Sequence, residues 1–377
     1  MKALISAYAR SPFHFARKGA LAEVRPDTLA AQVVQGLIER TGVDPALLDD
    51  VILGCAYPEA SQGNNLARIV SLLAGLPQQV GGMTVNRFCG SSMSAIHIAA
   101  AQIEAGLGEA YLCVGVESMT MVPQGGFNFS PNPSLLEHTD AYISMGMTAE
   151  NVAQRFEVTR AAQEQLAQAS HHKAASAREA GRLRDEIVAI RTGDGRTIAE
   201  DGCIRPATTL EAFAALRPVF KEEGVVTAGT SSPLTDGAAV VLVTSEDFAR
   251  RQGLSPLARI RAMASVGCDP ALMGMGPVPA TRLALTRAGL TVADLDVVEI
   301  NEAFGSQALA CIRELQLDPA TVNLDGGGLA IGHPLGATGA RITGKAAALL
   351  QREGGRYALA TQCIGGGQGI ATILEAL

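Results

Sequence analysis

Two cysteines in this chain of 377 residues stand where a thiol could act as a nucleophile or as an acid. Cys89 directly precedes a stretch with helical spacing over 92–105, and the positive end of a helix dipole stabilises a thiolate. Cys363 follows a predicted strand and precedes a glycine-rich segment, 365–369, whose backbone N–H groups could hold an oxyanion. Free cysteines are also common core residues, so both the catalytic and the structural interpretation stay open.

A histidine and an asparagine stand at similar places in the pattern. His333 lies among the glycines of 326–339, just before another helical stretch, where it could take a proton from a nearby thiol. Asn301 follows a predicted strand over 297–300, and its amide could position a water molecule. The alternative roles are a hydrogen bond that fixes a turn for His333 and a helix cap for Asn301.

These four side chains together suit one kind of chemistry. Each of them follows a predicted core strand or precedes a predicted core helix, and ligands bind at such ends in α/β sheets. Two thiols, a histidine and exposed backbone amides supply a nucleophile, a base, an acid and an oxyanion hole. The set therefore indicates acyl transfer through a thioester.

Helices and strands that alternate along the chain must position these residues, as in an α/β protein with buried strands. Apolar residues at helical spacing predict helices, and short apolar runs predict strands. The predicted helices cover 27–41, 92–105 and 338–352, and the predicted strands cover 50–54, 110–116, 239–243, 297–300 and 357–361.

The front and the back of the chain repeat the same order of elements. In each half a strand that follows an aspartate is followed by a Val-Asn pair, a glycine-containing loop, a helix and a second strand. We interpret the halves as two copies of one α/β unit. The predicted N-terminal half covers 1–117 and is completed by about 235–253, and the C-terminal half covers 254–377. Between them 118–234 is an inserted loop domain with one long polar helix at about 148–180.

Composition and charge exclude several classes of protein. The net charge of −7 and the 4% of aromatic residues argue against a nucleic-acid partner. No apolar run approaches the length of a membrane span, and the start of the chain is too short and too soon interrupted for a signal peptide. Seven cysteines without a Cys-x-x-Cys pair argue against a disulfide framework and a structural metal site. These features predict a cytoplasmic protein.

Nucleotide-binding motifs are only approximated. The stretch 339–346 spells most of a P-loop, but it ends in alanine and falls inside a helical pattern. No strict G-x-G-x-x-G follows a strand, so a dinucleotide oxidoreductase is poorly supported. His171 and His172 are expected on the solvated face of the polar helix.

Four motifs in this order resemble those of the thiolase family over essentially the whole chain. They are 86–92 (NRFCGSS), 301–304 (NEAF), 332–336 (GHPLG) and 363–367 (CIGGG). Within the family, the stretches TAGTSS, GCDP and GPVPA between 227 and 280 are most similar to those of the bacterial 3-ketoacyl-CoA thiolases of fatty-acid β-oxidation. The resemblance implies a duplicated, layered αβαβα fold with an inserted loop domain.

The resemblance also implies roles for the four side chains. Cys89 would attack the 3-keto carbon and become the acyl-enzyme. His333 would activate Cys89 and, with a water held by Asn301, stabilise the thioester enolate. Cys363 would protonate the departing acetyl-CoA carbanion and later deprotonate the incoming CoA. The backbone N–H groups of Cys89 and Gly365 would form a second oxyanion hole.

Coenzyme A is implied as a co-substrate, with no permanently bound cofactor. Ser232, Met145, Arg205 and Phe304 match family positions near the CoA, and the local excess of two positive charges over 155–221 agrees with an anionic ligand. The resemblance further implies a homodimer or a tetramer, with a hydratase/dehydrogenase as a candidate partner.

Three other functions remain alternatives. An acetoacetyl-CoA thiolase would use the same residues with a shorter acyl pocket, but Ser144 stands where such relatives commonly have histidine, which favours longer chains. Gly305 and Gly326 also depart from the family pattern, where alanine and asparagine are usual. A decarboxylating ketoacyl synthase would have no counterpart of Cys363. A non-catalytic acyl-CoA carrier should have lost one of the four groups.

Overall fold

A ten-stranded mixed sheet crosses the whole molecule in the computed structural model, which describes residues 2–377. Its central strands are buried on both faces, as expected for a sheet covered by helices. The strands are β1 (Ala3–Arg10), β2 (His14–Phe15), β3 (Asp50–Gly54), β4 (Met83–Val85), β5 (Ala110–Ser118), β6 (Ile190–Arg191), β7 (Thr197–Ile198), β8 (Thr235–Ser245), β9 (Ala258–Gly267), β10 (Val297–Ile300), β11 (Tyr357–Ile364) and β12 (Gln368–Glu375). β6 and β7 form a separate small sheet.

The predicted duplication is visible in the strand order, which is β10-β11-β12-β9-β1-β8-β5-β3-β4, with β2 beside β8. Apart from β4, which has no counterpart beyond β10, the order is symmetric about the β1–β9 pair. Going outward, β8 and β12 are antiparallel to their inner neighbours, β5 and β11 are antiparallel to these, and β3 and β10 are parallel to β5 and β11. The two halves also share an aspartate in the same structural role. Asp49 accepts two backbone N–H groups at the start of β5, and Asp296 accepts two at the start of β11.

Helices separate and cover the two half-sheets. The α-helices are α1 (Pro26–Thr41), α2 (Leu66–Leu73), α3 (Ser91–Glu104), α4 (Pro133–His138), α5 (Met145–Arg155), α6 (Arg160–Glu179), α7 (Leu210–Ala214), α8 (Glu246–Arg251), α9 (Pro277–Ala288), α10 (Gly305–Leu315), α11 (Gly328–Ile331) and α12 (Thr338–Glu353). The three predicted helices are confirmed as α1, α3 and α12, each within one residue of its predicted bounds.

The helices form three of the five layers. α3 and α12 pack together in a core shared by both half-sheets, and α12 is buried on almost all sides. α1 and α2 cover the outer face of the first half-sheet, and α9 and α10 cover that of the second. The layered αβαβα fold is thus confirmed. It places the starts of α3 and α12, and the ends of β10 and β11, in the middle of the molecule.

The prediction of one long polar helix over about 148–180 is wrong in one respect. Two helices, α5 and α6, stand in its place, because Glu157 takes a left-handed conformation with φ 51° and Thr159 caps the second helix. The segment 118–234 also carries α4, α7 and the small sheet. Its predicted bounds as a domain stay a prediction.

No helix within residues 2–377 combines the length and the apolar character that a membrane crossing needs.

Candidate active site

A tight turn presents Cys89 directly in front of α3. Phe88 adopts φ 43°, a left-handed conformation that side chains with a Cβ rarely take. Two hydrogen bonds hold this turn: the Phe88 N–H donates to Asn86 Oδ1 at 2.8 Å, and the Ser91 hydroxyl donates to the Phe88 carbonyl at 2.6 Å. A side chain on Gly90 would meet Ile364 at 2.5 Å, so the absence of a Cβ lets the turn approach β11.

The second thiol reaches the same place from β11. Cys363 was predicted to follow a strand, but β11 is longer than expected and Cys363 lies within it, opposite Gly369. The neighbouring Gln362 donates from Nε2 to the Cys89 carbonyl at 2.5 Å, which ties the two elements together. The Gly365 N–H hydrogen-bonds to the Cys89 thiol. The Gly365 N–H is therefore close to the Cys89 thiol, and the oxyanion hole formed by these two residues stays a prediction.

The ionisation of Cys89 differs from the prediction. Burial raises the pKa of its thiol from 9.0 to about 12, and the charge of Glu117 adds to the rise, while the Gly365 N–H lowers it. A helix terminus supplies about 0.3–1 kcal/mol, or up to about 2 kcal/mol in a partly buried site, whereas one pKa unit corresponds to 1.36 kcal/mol and the rise here is from 9.0 to about 12. The dipole therefore loses to desolvation, and the thiol needs a base to become a nucleophile.

His333 can serve as that base only in its neutral form. It is buried, and burial, together with the charge of Arg341, lowers its pKa from 6.5 to about 3. The imidazole is therefore neutral at neutral pH. Its Nδ1 lies 2.6 Å from the Thr338 hydroxyl. In the tautomer in which Nδ1 donates to Thr338, Nε2 keeps a lone pair that can accept a proton.

Asn301 lies behind the imidazole at the end of β10. Its N–H donates to the Thr361 carbonyl at 3.0 Å, and its Nδ2 lies 3.4 Å from each ring nitrogen of His333. Its buried Oδ1 has no hydrogen-bond partner among residues 2–377. The adjacent Glu302 accepts from Ser170 and Asn323, so this carboxylate holds structure rather than facing the thiols.

One cavity of about 710 Å³ connects these groups. Cys89, His333, Cys363 and Gly365 all line it, whereas Asn301 does not. Its walls are mostly apolar, and the three aromatic ring pairs found in residues 2–377 all lie on it. These pairs are Tyr57–Phe88, Phe129–Tyr142 and Phe220–Phe304. The size and lining fit a ligand that is largely apolar.

Three of the four residues predicted to contact CoA line this cavity, namely Ser232, Met145 and Phe304. Arg205 does not; its guanidinium lies over the Phe15 ring, 5.1 Å from the centroid. The prediction of a solvated His171 is wrong, because His171 is buried and its Nδ1 accepts the Arg205 N–H at 3.1 Å. Nowhere in 2–377 do three or more His, Cys, Asp or Glu side chains gather as a metal site would require.

Sequence reasoning missed the residues that hold the site in place. Gln362 and Thr338 adjoin predicted motifs, but no spacing rule distinguishes them from other core residues. Only the approach of β11 to the Cys89 turn, and of α12 to His333, gives them their roles.

We expect iodoacetamide to modify Cys89 before the other six cysteines. Cys89 and Cys268 are the two half-buried thiols, and the other five are buried. Cys268 does not line the cavity that contains His333, so it does not share this imidazole as a base. Peptide mapping after partial alkylation measures this, with Cys268 as the internal comparison. Preferential labelling of Cys268 would contradict the assignment of Cys89 as the nucleophile.

Comparison with known proteins gives one consistent result. The family described as "Thiolase, N-terminal domain" matches residues 3–247, and "Thiolase, C-terminal domain" matches residues 254–376. The chain is 48% identical to a 3-ketoacyl-CoA thiolase of Saccharophagus degradans, over 98% of this chain and 96% of that one. It is 47% identical to a 3-ketoacyl-CoA thiolase of Shewanella putrefaciens, over 99% of both chains.

A solved structure agrees with the sequence relatives. Human mitochondrial 3-ketoacyl-CoA thiolase in complex with CoA superimposes with a TM-score of 0.92 at 39% sequence identity, covering 100% of this chain and 98% of the human one. Both halves of the chain therefore match in sequence and in fold, and the protein belongs to the thiolase family.

Proposed function

We infer that the protein uses CoA to cleave 3-ketoacyl-CoA into acetyl-CoA and a shortened acyl-CoA. The observation that carries this function is the meeting of Cys89, His333 and Cys363 on one cavity, in a chain about half identical to 3-ketoacyl-CoA thiolases. The human relative binds CoA, which supports CoA as the co-substrate here.

In the first half of the proposed reaction, neutral His333 takes the proton of the Cys89 thiol, and the thiolate attacks the 3-keto carbon. The bond between C2 and C3 then breaks, leaving the acyl group on Cys89 and an electron pair on C2 of the departing acetyl-CoA. Cys363 gives its proton to C2. Acetyl-CoA leaves, His333 holds one extra proton, and Cys363 is a thiolate.

The second half restores both groups. The Cys363 thiolate takes the proton of the incoming CoA thiol, and the CoA sulfur attacks the Cys89 thioester. The Cys89 thiolate leaves and recovers its proton from His333. During this step the N–H groups of Cys89 and Gly365 stabilise the oxyanion. The enolate of acetyl-CoA is stabilised by His333 and by a water that Asn301 positions.

The aromatic wall of the cavity supports substrates longer than four carbons. Tyr57 and Phe88 adjoin Cys89, and Phe129 and Tyr142 continue the lining towards solvent. Each buried methylene contributes at most about 0.8 kcal/mol, which corresponds to about fourfold in kcat/KM. We therefore propose medium-chain and long-chain 3-ketoacyl-CoA esters as the preferred substrates.

The experiment is a series of 3-ketoacyl-CoA esters from four to sixteen carbons, followed by loss of the enolate absorbance. We expect kcat/KM to rise at least about tenfold from the four-carbon to the ten-carbon ester. Activity confined to the four-carbon ester would instead identify an acetoacetyl-CoA thiolase. Absence of cleavage would favour the carrier.

Two phenylalanines provide a matched test of the wall. Phe129 is 63% exposed and lines the cavity, whereas Phe127 is 59% exposed and does not. Phe129→Ala should lower kcat/KM for the long esters by about threefold to tenfold and leave the four-carbon ester unchanged. Phe127→Ala should change neither. Equal effects of both variants would contradict a role for the wall in chain length.

The resemblance to the family also supports proposals about the setting of the protein. We propose a cytoplasmic homodimer or tetramer, with a hydratase/dehydrogenase as a candidate partner. Light scattering of the purified protein measures the oligomeric state. Co-purification with the enzyme that supplies the 3-ketoacyl-CoA tests the partner.

A further inference from the structure

A carboxylate without a cation lies beneath the proposed site. Glu117, at the end of β5, is completely buried. No lysine or arginine within residues 2–377 forms an ion pair with it. Such a group is costly to bury unless several donors satisfy it. The donors that satisfy Glu117 therefore indicate what its carboxylate does in the fold.

Four nitrogen donors surround the carboxylate, the Cys55 thiol lies 3.5 Å from Oε1, and one of the donors, Tyr57, lines the cavity. Oε2 accepts the Ala56 N–H at 2.8 Å and the Gly336 N–H at 2.9 Å. Oε1 accepts from Gln62 Nε2 at 2.8 Å and from the Tyr57 N–H at 3.2 Å. One side chain thus links the end of β3 to the loop that carries His333.

Two of the bonded segments lead directly to a reacting group. Gly336 lies between His333 and Thr338, whose hydroxyl contacts the imidazole. The Ala56 carbonyl accepts from Asn86 at 3.0 Å, and Asn86 holds the Cys89 turn through the Phe88 N–H. The same carboxylate is therefore connected to both the base and the nucleophile.

The fit around Glu117 is close. A side chain on Gly336 would come within 2.9 Å of Glu117 Oε2 and 2.8 Å of the Cys55 backbone. The amide of Gln62 is fixed in orientation, because its Oε1 accepts the Ser118 N–H at 2.5 Å. The charge of Glu117 itself raises the pKa of Cys89, so it opposes formation of the thiolate. Its benefit to the site must come from geometry.

We propose that Glu117 is a positioning residue for the thiolysis, whose carboxylate fixes the His333 loop relative to the Cys89 turn. This inference rests on the proposed function. In Glu117→Gln an N–H₂ group replaces one of the two carboxylate oxygens. Because each oxygen accepts from two N–H donors, the N–H₂ group would face two donors in either orientation of the amide. At least two hydrogen bonds would be lost and the two loops would move apart.

The test compares Glu117→Gln with the unchanged protein. We expect kcat for thiolysis to fall about 100-fold, the cost of a misplacement near 1 Å, while KM for CoA changes less than threefold. Removal of the charge should also move the pH dependence of Cys89 alkylation to lower pH. A purely structural lesion would not make the nucleophile more acidic while turnover falls.

Two further variants keep the proposal falsifiable. Gly336→Ala displaces the same loop without removing the charge, so we expect kcat to fall at least tenfold with no shift in the alkylation profile. Asp296→Asn removes a carboxylate that accepts N–H groups at the far end of β10, so kcat should stay within twofold.

Turnover within threefold of wild type in folded Glu117→Gln would overturn the proposal. If that variant does not fold, turnover within threefold of wild type in folded Gly336→Ala would overturn it. A wild-type protein that cleaves no 3-ketoacyl-CoA would refute the proposed function instead.

Discussion

Replacing Cys89 by alanine is expected to lower kcat for 3-ketoacyl-CoA cleavage by at least about 10⁴-fold. Loss of the nucleophile in a covalent mechanism removes every step that passes through the intermediate, and such losses reach about 10⁶ in a well-studied hydrolase. The steady-state assay of the ten-carbon ester measures it. The variant should bind CoA with an affinity within about threefold of wild type, because the thiol forms only a small part of the cavity wall.

Cys268→Ala is the matched control for this experiment. Cys268 is the other half-buried cysteine, and burial together with Asp269 raises its pKa to about 11. Its removal should leave kcat within twofold. Mass spectrometry of wild type mixed with substrate should show an acyl adduct on the peptide that contains Cys89. Turnover above 1% in Cys89→Ala would contradict covalent catalysis by this residue. Acyl-CoA binding by a wild-type protein that shows neither turnover nor an acyl adduct would identify a carrier.

The arrangement of the elements could be predicted from the sequence because apolar periodicity and turn residues determine it. α12 and β10 coincide with prediction to within one residue: α12 lies in the buried centre of the fold, and β10 is an edge strand whose four residues are all buried. The break at Glu157 escaped prediction, since residues on both sides have helical spacing and only the left-handed backbone separates them.

The chemistry of the site was predictable in residue type but not in protonation. Motif positions placed Cys89 and His333 before helices at matching places of the two copies, and both line the cavity. Their pKa values follow from how far the surrounding elements exclude water, which no local spacing reports. Arg205 illustrates the same point, because its distance from the cavity depends on how the 118–234 segment packs.

Cys363→Ser separates the acid/base step from the nucleophilic one. A hydroxyl is a far weaker acid than a thiol, so proton transfer at C2 of acetyl-CoA should slow by about 10²–10⁴-fold. Exchange of the C2 protons of acetyl-CoA in deuterated water, followed by NMR, measures this step directly. Acylation of Cys89 by an activated thioester, whose leaving thiolate needs no proton, should change less than about fivefold.

A buried control distinguishes chemistry from packing. Cys311 is also buried and hydrogen-bonds to the Gly274 carbonyl at 3.2 Å, but it does not line the cavity. Cys311→Ser should therefore leave the exchange rate within twofold. Burial and the nearby Cys89 raise the pKa of Cys363 well above its usual range, so its thiol stays protonated until C2 becomes basic enough to take the proton. Equal loss of exchange and of acylation in Cys363→Ser would contradict its acid/base role, because only proton transfer at C2 requires the acid.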